Sequence, residues 1–270
     1  MKLAALHPCS LIDYPGRLAA VVFTCGCNLR CPYCHNPGLV EPPWTGEVEE
    51  GEVLALLAAR RGKLDGLVVT GGEPTLQPDL APFLSRVREI GHLVKLDTNG
   101  TRPDVLKDLL ARGLVDYVAL DLKDEPEAYP EWLGLRGEEP DAVRRSIALL
   151  VSAGVEHELR TTVALPRLDP ERLARLALLA AGAARWVLQP YRPVAGVPAG
   201  SDLRAPGEDE LAATAAWLRR SLGSRCFARA ELGRGSRGPA GRGVGAHLRA
   251  PAHPSMAVAR EIHAHDGTER

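Results

Sequence analysis

Residues 18 to 37 read "LAAVVFTCGCNLRCPYCHNP", an apolar, β-branched run followed at once by a loop carrying Cys25, Cys27, Cys31 and Cys34. The run has the length and branching of a buried strand, and Gly26, Pro32, Pro37 and Gly38 keep regular structure from continuing through the cysteines. Cys27, Cys31 and Cys34 follow the spacing C-x3-C-x2-C, so three thiolates can converge on one centre. The chain holds six cysteines in 270 residues, and four of them lie between Cys25 and Cys34, which is the spacing of a metal or redox site and not of a disulfide framework. From the residues alone two centres remain open. One is a structural zinc knuckle with Cys25 or His35 as fourth ligand. The other is an iron–sulfur cluster that three thiolates leave with one open iron.

Outward from that stretch, short apolar runs alternate with longer amphipathic ones, the pattern of βα units around a parallel sheet. Strands are expected at 18–24, 64–70, 92–98, 116–122, 157–163 and 185–191, and helices near 47–61, 78–90, 103–112, 139–153, 169–182 and 208–221. Pro103 and Pro140 fall where a first helical turn tolerates a missing N–H. Six units are too few for the usual closed eight-stranded barrel, which leaves an open barrel or a doubly wound sheet. "TGGEP" follows the second strand, "DTNG" the third and "DLK" the fourth, "RTT" lies in the fifth, and "QPYRP" ends the sixth. Sites in parallel α/β folds gather at the carboxyl ends of strands, so these motifs are expected to face one cavity.

Lys plus Arg number 33 against 34 for Asp plus Glu, a balance that gives no electrostatic case for nucleic acid or an anionic membrane. The first residues lack the apolar core of a secretory signal, and no apolar run approaches the ~18 residues of a membrane helix, so a cytoplasmic protein is expected. Three segments are expected: an N-terminal extension at 1–17, the α/β body at 18–230, and a Gly/Arg-rich tail at 231–270 with the composition of a disordered segment.

The cysteine spacing, with the aromatic Tyr33 before its last member, resembles the signature of the radical S-adenosylmethionine enzymes, and "GGEP" at 71–74 resembles their next motif one βα unit later. "SLIDYPG", "VVFTCGCNLRCPYCHNP", "TGGEPTLQPDL", "KLDTNGT" and "DYVALDLK" together resemble the glycyl-radical activating enzymes, above all the activating protein of anaerobic ribonucleoside-triphosphate reductase, over roughly residues 8 to 200. The resemblance implies an α/β fold that is an open partial (βα)6 TIM-like barrel. It implies a 4Fe-4S cluster held by Cys27, Cys31 and Cys34, whose open iron is chelated by S-adenosylmethionine; one electron, from reduced flavodoxin or ferredoxin, then cleaves the sulfonium to a 5′-deoxyadenosyl radical.

By the same resemblance, Gly71, Gly72 and Glu73 meet the methionine end of that cofactor, and Tyr33 contacts the adenine through its main chain. Asp97, Asn99, Asp121 and Lys123 are implied at the ribose and methionine ends, with Lys123 suited to a carboxylate. Asp13, His35 and Arg160 are implied at the cavity mouth where a partner's glycine loop enters; Gln189 and Arg192 are further candidates facing the adenosyl group. The plain alternatives are a tight turn for the glycines, a structural Asp–Lys pair, and an internal ion pair for Arg160. The implied partner is a glycyl radical enzyme, the anaerobic reductase or one of pyruvate formate-lyase type. A small-molecule radical enzyme such as a deazapurine synthase and a zinc-binding interaction module are the other readings. Cys25 departs from the glutamine expected before "GCNLRC", and Cys9 and Cys226 read as isolated thiols.

Overall fold

In a computed structural model the described residues are 1–44, 47–135, 139–193, 202–223, 225–229 and 231. Eight strands form one sheet in strict chain order. They are β1 (Leu3–Ser10), β2 (Ala19–Thr24), β3 (Gly66–Gly71), β4 (Leu93–Thr98), β5 (Tyr117–Asp121), β6 (Glu156–Val163), β7 (Trp186–Pro190) and β8 (Cys226–Ala228). β1 pairs antiparallel with β2, and every later neighbour is parallel. A doubly wound sheet reverses its order at a switch point; this one never does, so the open barrel is the outcome. The helices α1 (Glu50–Ala59), α2 (Leu80–Ile90), α3 (Pro103–Ala111), α4 (Tyr129–Trp132), α5 (Asp141–Ala153), α6 (Pro170–Leu179) and α7 (Glu208–Leu222) fill the crossovers. β1 and β8 are the two edge strands, with Leu3 of β1 bridged to Val48 on its outer side.

Each expected strand and helix is present within a few residues of its expected place. β1 and β8 are additions: β8 is only three residues long, and in "LAALHPCS" Pro8 and the exposed His7 and Cys9 break the alternation that would have marked a strand. Pro103 opens α3, where the absent N–H costs nothing.

Strand alternation sorts the side chains into two cores. Ala20, Val22, Leu67, Val69, Val94, Leu96, Val118 and Leu120 point outward and are buried with the apolar faces of the helices. Ala19, Val21, Val68, Tyr117 and Ala119 point into the barrel and pack with Tyr14. Tyr14 meets the Tyr117 ring at 5.8 Å and comes from the β1–β2 connection, so it plugs the end of the barrel where the parallel strands begin. The opposite end, where they finish, carries the polar motifs. The tail expected at 231–270 lies outside the described residues apart from Glu231, which pairs with Arg219.

Candidate active site

The loop after β2 is laid across the carboxyl end of the sheet by backbone bonds on both sides. Gly26 N–H donates to Leu39 O at 2.6 Å, Cys27 N–H to Val40 O at 3.3 Å, and Arg30 N–H to Leu133 O at 2.6 Å. The Arg30 guanidinium folds back onto the carbonyls of Cys27 and Leu29 at 2.8 and 2.9 Å. All six cysteines are free, and Cys27, Cys31 and Cys34 are partly exposed. Burial pushes the Cys27 thiol up to about 12, although the Leu29 N–H, donating to its Sγ at 3.4 Å, works the other way. Burial likewise pushes Cys31 up to about 11 against the pull of the Lys123 ammonium. Both are therefore thiols until a metal displaces their protons.

Cys25 stands apart. It is buried with Ala4 and Leu39, while Cys27 and Cys31 pack against the main core. Among the described residues no three His, Cys, Asp or Glu side chains group as ligands of one metal ion. The ligands of a cubane sit on separate irons and so stand farther apart than ligands sharing one ion. Three free thiols on one loop, an N–H aimed at the first and an ammonium beside the second are a donor set that fits such a cluster.

"GGEP" joins β3 to this loop. A Cβ on Gly71, whose φ is +115°, would lie 2.3 Å from Thr24 N, and one on Gly72 would lie 2.0 Å from Gly26 O. The amides are committed as well, Gly72 N–H to Thr24 O at 2.9 Å and Glu73 N–H to Gly26 O at 2.8 Å. The glycines thus serve the close approach of two backbones. Glu73 is buried, and its carboxylate accepts from Thr75 N–H (3.1 Å), Thr75 Oγ1 (2.5 Å), Thr98 Oγ1 (2.7 Å) and Asn99 N–H (2.7 Å). Burial raises its pKa in spite of those donors. Its role in this arrangement is to tie the end of β3 to the end of β4.

Asn99 is bonded in a ring that the sequence did not reveal. Its Nδ2 donates to Asn28 Oδ1 at 2.9 Å, Asn28 Nδ2 donates to Thr101 Oγ1 at 2.8 Å, and Thr101 Oγ1 donates back to Asn99 Oδ1 at 2.7 Å. Asn28 sits one residue after Cys27, so the ring fastens the cysteine loop to the end of β4. The signal was Asn28, the asparagine inside the cysteine motif.

Six charges face the lumen from β4, β6 and the end of β5; besides the buried Glu158, opposite Ala119, five of them are joined by ion pairs. Lys95 bonds Asp97 Oδ1. Arg160 donates to Asp97 Oδ2 at 3.2 Å and to Asp121 Oδ1 at 2.8 Å, and Lys123 donates to Asp121 Oδ2 at 3.2 Å. Burial would raise both carboxyls, but Arg160 first, then Lys95 for Asp97 and Lys123 for Asp121, holds them below the usual carboxylate range. Lys123 is held well above the ordinary lysine value against its burial, by Asp121 first and then Cys31. Its backbone is fixed too, because its N–H donates to Tyr129 Oη at 3.0 Å and Tyr33 Oη donates to its carbonyl at 3.5 Å.

The structure therefore brings together Cys27, Cys31, Cys34, Tyr33, Gly71, Gly72, Glu73, Asp97, Asn99, Asp121, Lys123 and Arg160 at one end of the barrel. Tyr33 has its ring buried between Trp132 and Tyr191 at 6.5 Å from each. His35 is exposed beside Cys34. Gln189 donates to Thr162 Oγ1 at 2.9 Å, and Arg192 is exposed. Asp13 is not with them. Antiparallel pairing of β1 with β2 sets Ser10 opposite Ala19, at the far end of the sheet, and Asp13 accepts from Ser10 Oγ there at 2.5 Å. Arg160 is engaged inside the lumen by two carboxylates, the internal pairing the sequence left open.

The Radical SAM superfamily signature matches residues 21–180, which is more than half of the chain. The chain belongs to the radical SAM superfamily. That family uses a 4Fe-4S cluster and S-adenosylmethionine. A protein of Methanocaldococcus jannaschii named "Putative glycyl-radical enzyme activating enzyme" is 37% identical over 191 residues, 68% of this chain and 77% of its own. A 7-carboxy-7-deazaguanine synthase of Thermococcus kodakarensis is 30% identical over 66% of this chain and 76% of its own, and a pyruvate formate-lyase-activating enzyme of Clostridium pasteurianum is 33% identical over 45% and 52%. Among solved structures, Streptococcus suis SuiB bound to its precursor peptide superposes at a TM-score of 0.60 with 15% identity, over 77% of this chain and 48% of that one. Escherichia coli QueE superposes at 0.51 with 16% identity, over 84% and 93%. These last two likenesses show the fold. No helix among the described residues is long and apolar enough to cross a membrane.

Proposed function

We propose that this radical SAM protein is an activase that generates a glycyl radical on a partner protein, and that the partner is an anaerobic ribonucleoside-triphosphate reductase. The observation that carries the reading is the meeting of the cysteine loop with the end of β5: Tyr33, between Cys31 and Cys34, bonds the Lys123 carbonyl, and the partly buried Lys123 ammonium, paired with Asp121, is suited to the carboxylate of S-adenosylmethionine. When bound, the cluster and S-adenosylmethionine supply reductive cleavage of the sulfonium and a hydrogen-abstracting carbon radical. Cys27, Cys31 and Cys34 hold the cluster. The Gly71 and Gly72 carbonyls take the methionine ammonium, Lys123 its carboxylate, and Asp97, Asn99 and Asp121 the ribose side, with Tyr33 main chain at the adenine. His35, beside Cys34 on the exposed side, meets the incoming glycine loop. The similarity to the named activating enzymes, one of them covered over 77% of its length, supports the partner class.

A small-molecule reading is favoured by one observation, the comparable coverage of a deazaguanine synthase. Anaerobic reconstitution followed by mixing with the reductase separates the two. The activase reading expects reductant-dependent loss of S-adenosylmethionine and a glycyl radical signal in electron paramagnetic resonance. Cys31→Ala is expected to abolish both while far-ultraviolet circular dichroism stays unchanged. Turnover with no radical on the reductase or on a pyruvate formate-lyase type protein would overturn the activase.

A further inference from the structure

Five of the lumen charges form a chain of ion pairs, least exposed at the Lys95 end. Side-chain exposure is 2% for Lys95, 13% for Asp97, 14% for Arg160, 28% for Asp121 and 18% for Lys123. Asp97 and Asp121 sit on neighbouring strands, and two carboxylates sharing a poorly hydrated space cannot both stay ionised without cations. Three cations serve them. Arg160 is shared, Lys123 is at the open end beside Cys31, and Lys95 is at the closed end.

These cations are not equivalent. Lys123 is placed to engage the carboxylate of a bound S-adenosylmethionine, and whatever it gives to the ligand it withdraws from Asp121. Arg160 must then hold Asp121 more firmly, which it can do only if Asp97 has another partner. Lys95 is that partner: its ammonium pairs with Asp97. Its ammonium lies between Asp97 and the Tyr117 ring, 5.9 Å from the ring centroid. Glu158, two residues before Arg160 on β6, is buried as well, and its Oε2 has no hydrogen-bond partner. A cation here reaches neither solvent nor ligand.

We propose that Lys95 is a positioning residue for cofactor binding, a permanent counter-ion that holds Asp97 so that Arg160 keeps its bond to Asp121 while Lys123 turns to the ligand. The proposal rests on the reading of this end of the barrel as the S-adenosylmethionine pocket. Without Lys95, Arg160 is the only cation on Asp97. It is drawn toward that residue and away from Asp121, and the ligand meets a displaced carboxylate.

The test uses full-length protein carrying its reconstituted cluster, with S-adenosylmethionine as probe in equilibrium dialysis. Lys95→Met keeps the aliphatic stem and removes the charge. It is expected to weaken S-adenosylmethionine binding about tenfold, with iron content and the paramagnetic resonance of the reduced cluster in the absence of S-adenosylmethionine unchanged, and Lys95→Arg is expected to recover most of the loss. Because Lys95 acts through Asp97, Lys95→Met combined with Asp97→Asn is expected to bind no more weakly than Asp97→Asn alone. Wild-type affinity in Lys95→Met, or losses that add in the double variant, would overturn the proposal. Should Lys95→Met fail to fold, Lys95→Gln gives the same comparison, since it keeps a donor to Asp97 but no charge. A wild-type protein that takes up the cluster and binds no S-adenosylmethionine would overturn the reading of the pocket itself.

Discussion

Single side chains at this site carry opposite dependences on pH. Asp97 and Asp121 are held below the unfolded value of 3.8, so the folded state binds their protons less readily than the unfolded chain does. Their contribution is present above that value and is lost as pH falls below it. Glu73 is raised above 4.5, and the stability linked to it is present below that value and lost as pH climbs through its raised folded value. Urea unfolding followed from pH 7 to 3 is expected to show a falling acid limb, and Arg160→Gln is expected to lower stability at pH 7 and flatten that limb. Glu73→Gln tests the brace. Three donors on Oε1 survive, but the new amide opposes the Asn99 N–H, at a cost of about 2 kcal/mol in denaturant unfolding. Cys25→Ala is expected to leave the iron content of the reconstituted protein unchanged, because that thiol packs with Ala4 and Leu39. The residue types at the site were readable as a motif. Lys95 beside Asp97 follows from the two-residue alternation of β4, but that Arg160 spans Asp97 and Asp121 does not: it depends on registry across strands far apart in the chain.

At the scale of elements, periodicity was a good guide wherever an element was long and its burial one-sided. α2, α3, α5 and α6 show a clear apolar face, and all were expected close to their observed limits. α4 was invisible, since "YPEW" is one turn and its place is set by contacts around Tyr33 and Lys123. β1 was missed for its proline. The junction of β2, β3 and the cysteine loop is where an element-level change should matter most. Gly72→Ala drives a methyl into the Gly26 carbonyl and is expected to lose more than about 3 kcal/mol in thermal or denaturant unfolding. Gly38→Ala, where nothing lies within 4 Å of the added carbon, is expected to stay within about 0.5 kcal/mol of the parent.

For the whole molecule, strand order carried the decision between two folds that share the same βα rhythm, and rhythm alone could not supply it. Antiparallel β1 returns the chain to the closed end, where Tyr14 fills the bore. Tyr14→Ala is expected to cost about 3 kcal/mol and to leave cluster uptake intact, which calorimetry and iron analysis of the reconstituted protein would check. The edge strands β1 and β8, which do not pair with each other, have a different consequence. A barrel sealed by its own ladder has a bore dictated by strand number and shear. Among the described residues β1 and β8 are not paired with each other, so the gap is as wide as the surrounding helices hold it. Repacking α1 or α7 can therefore widen or narrow the entrance without breaking a rung of the sheet, and one chemical core can be refitted to guests of very different bulk.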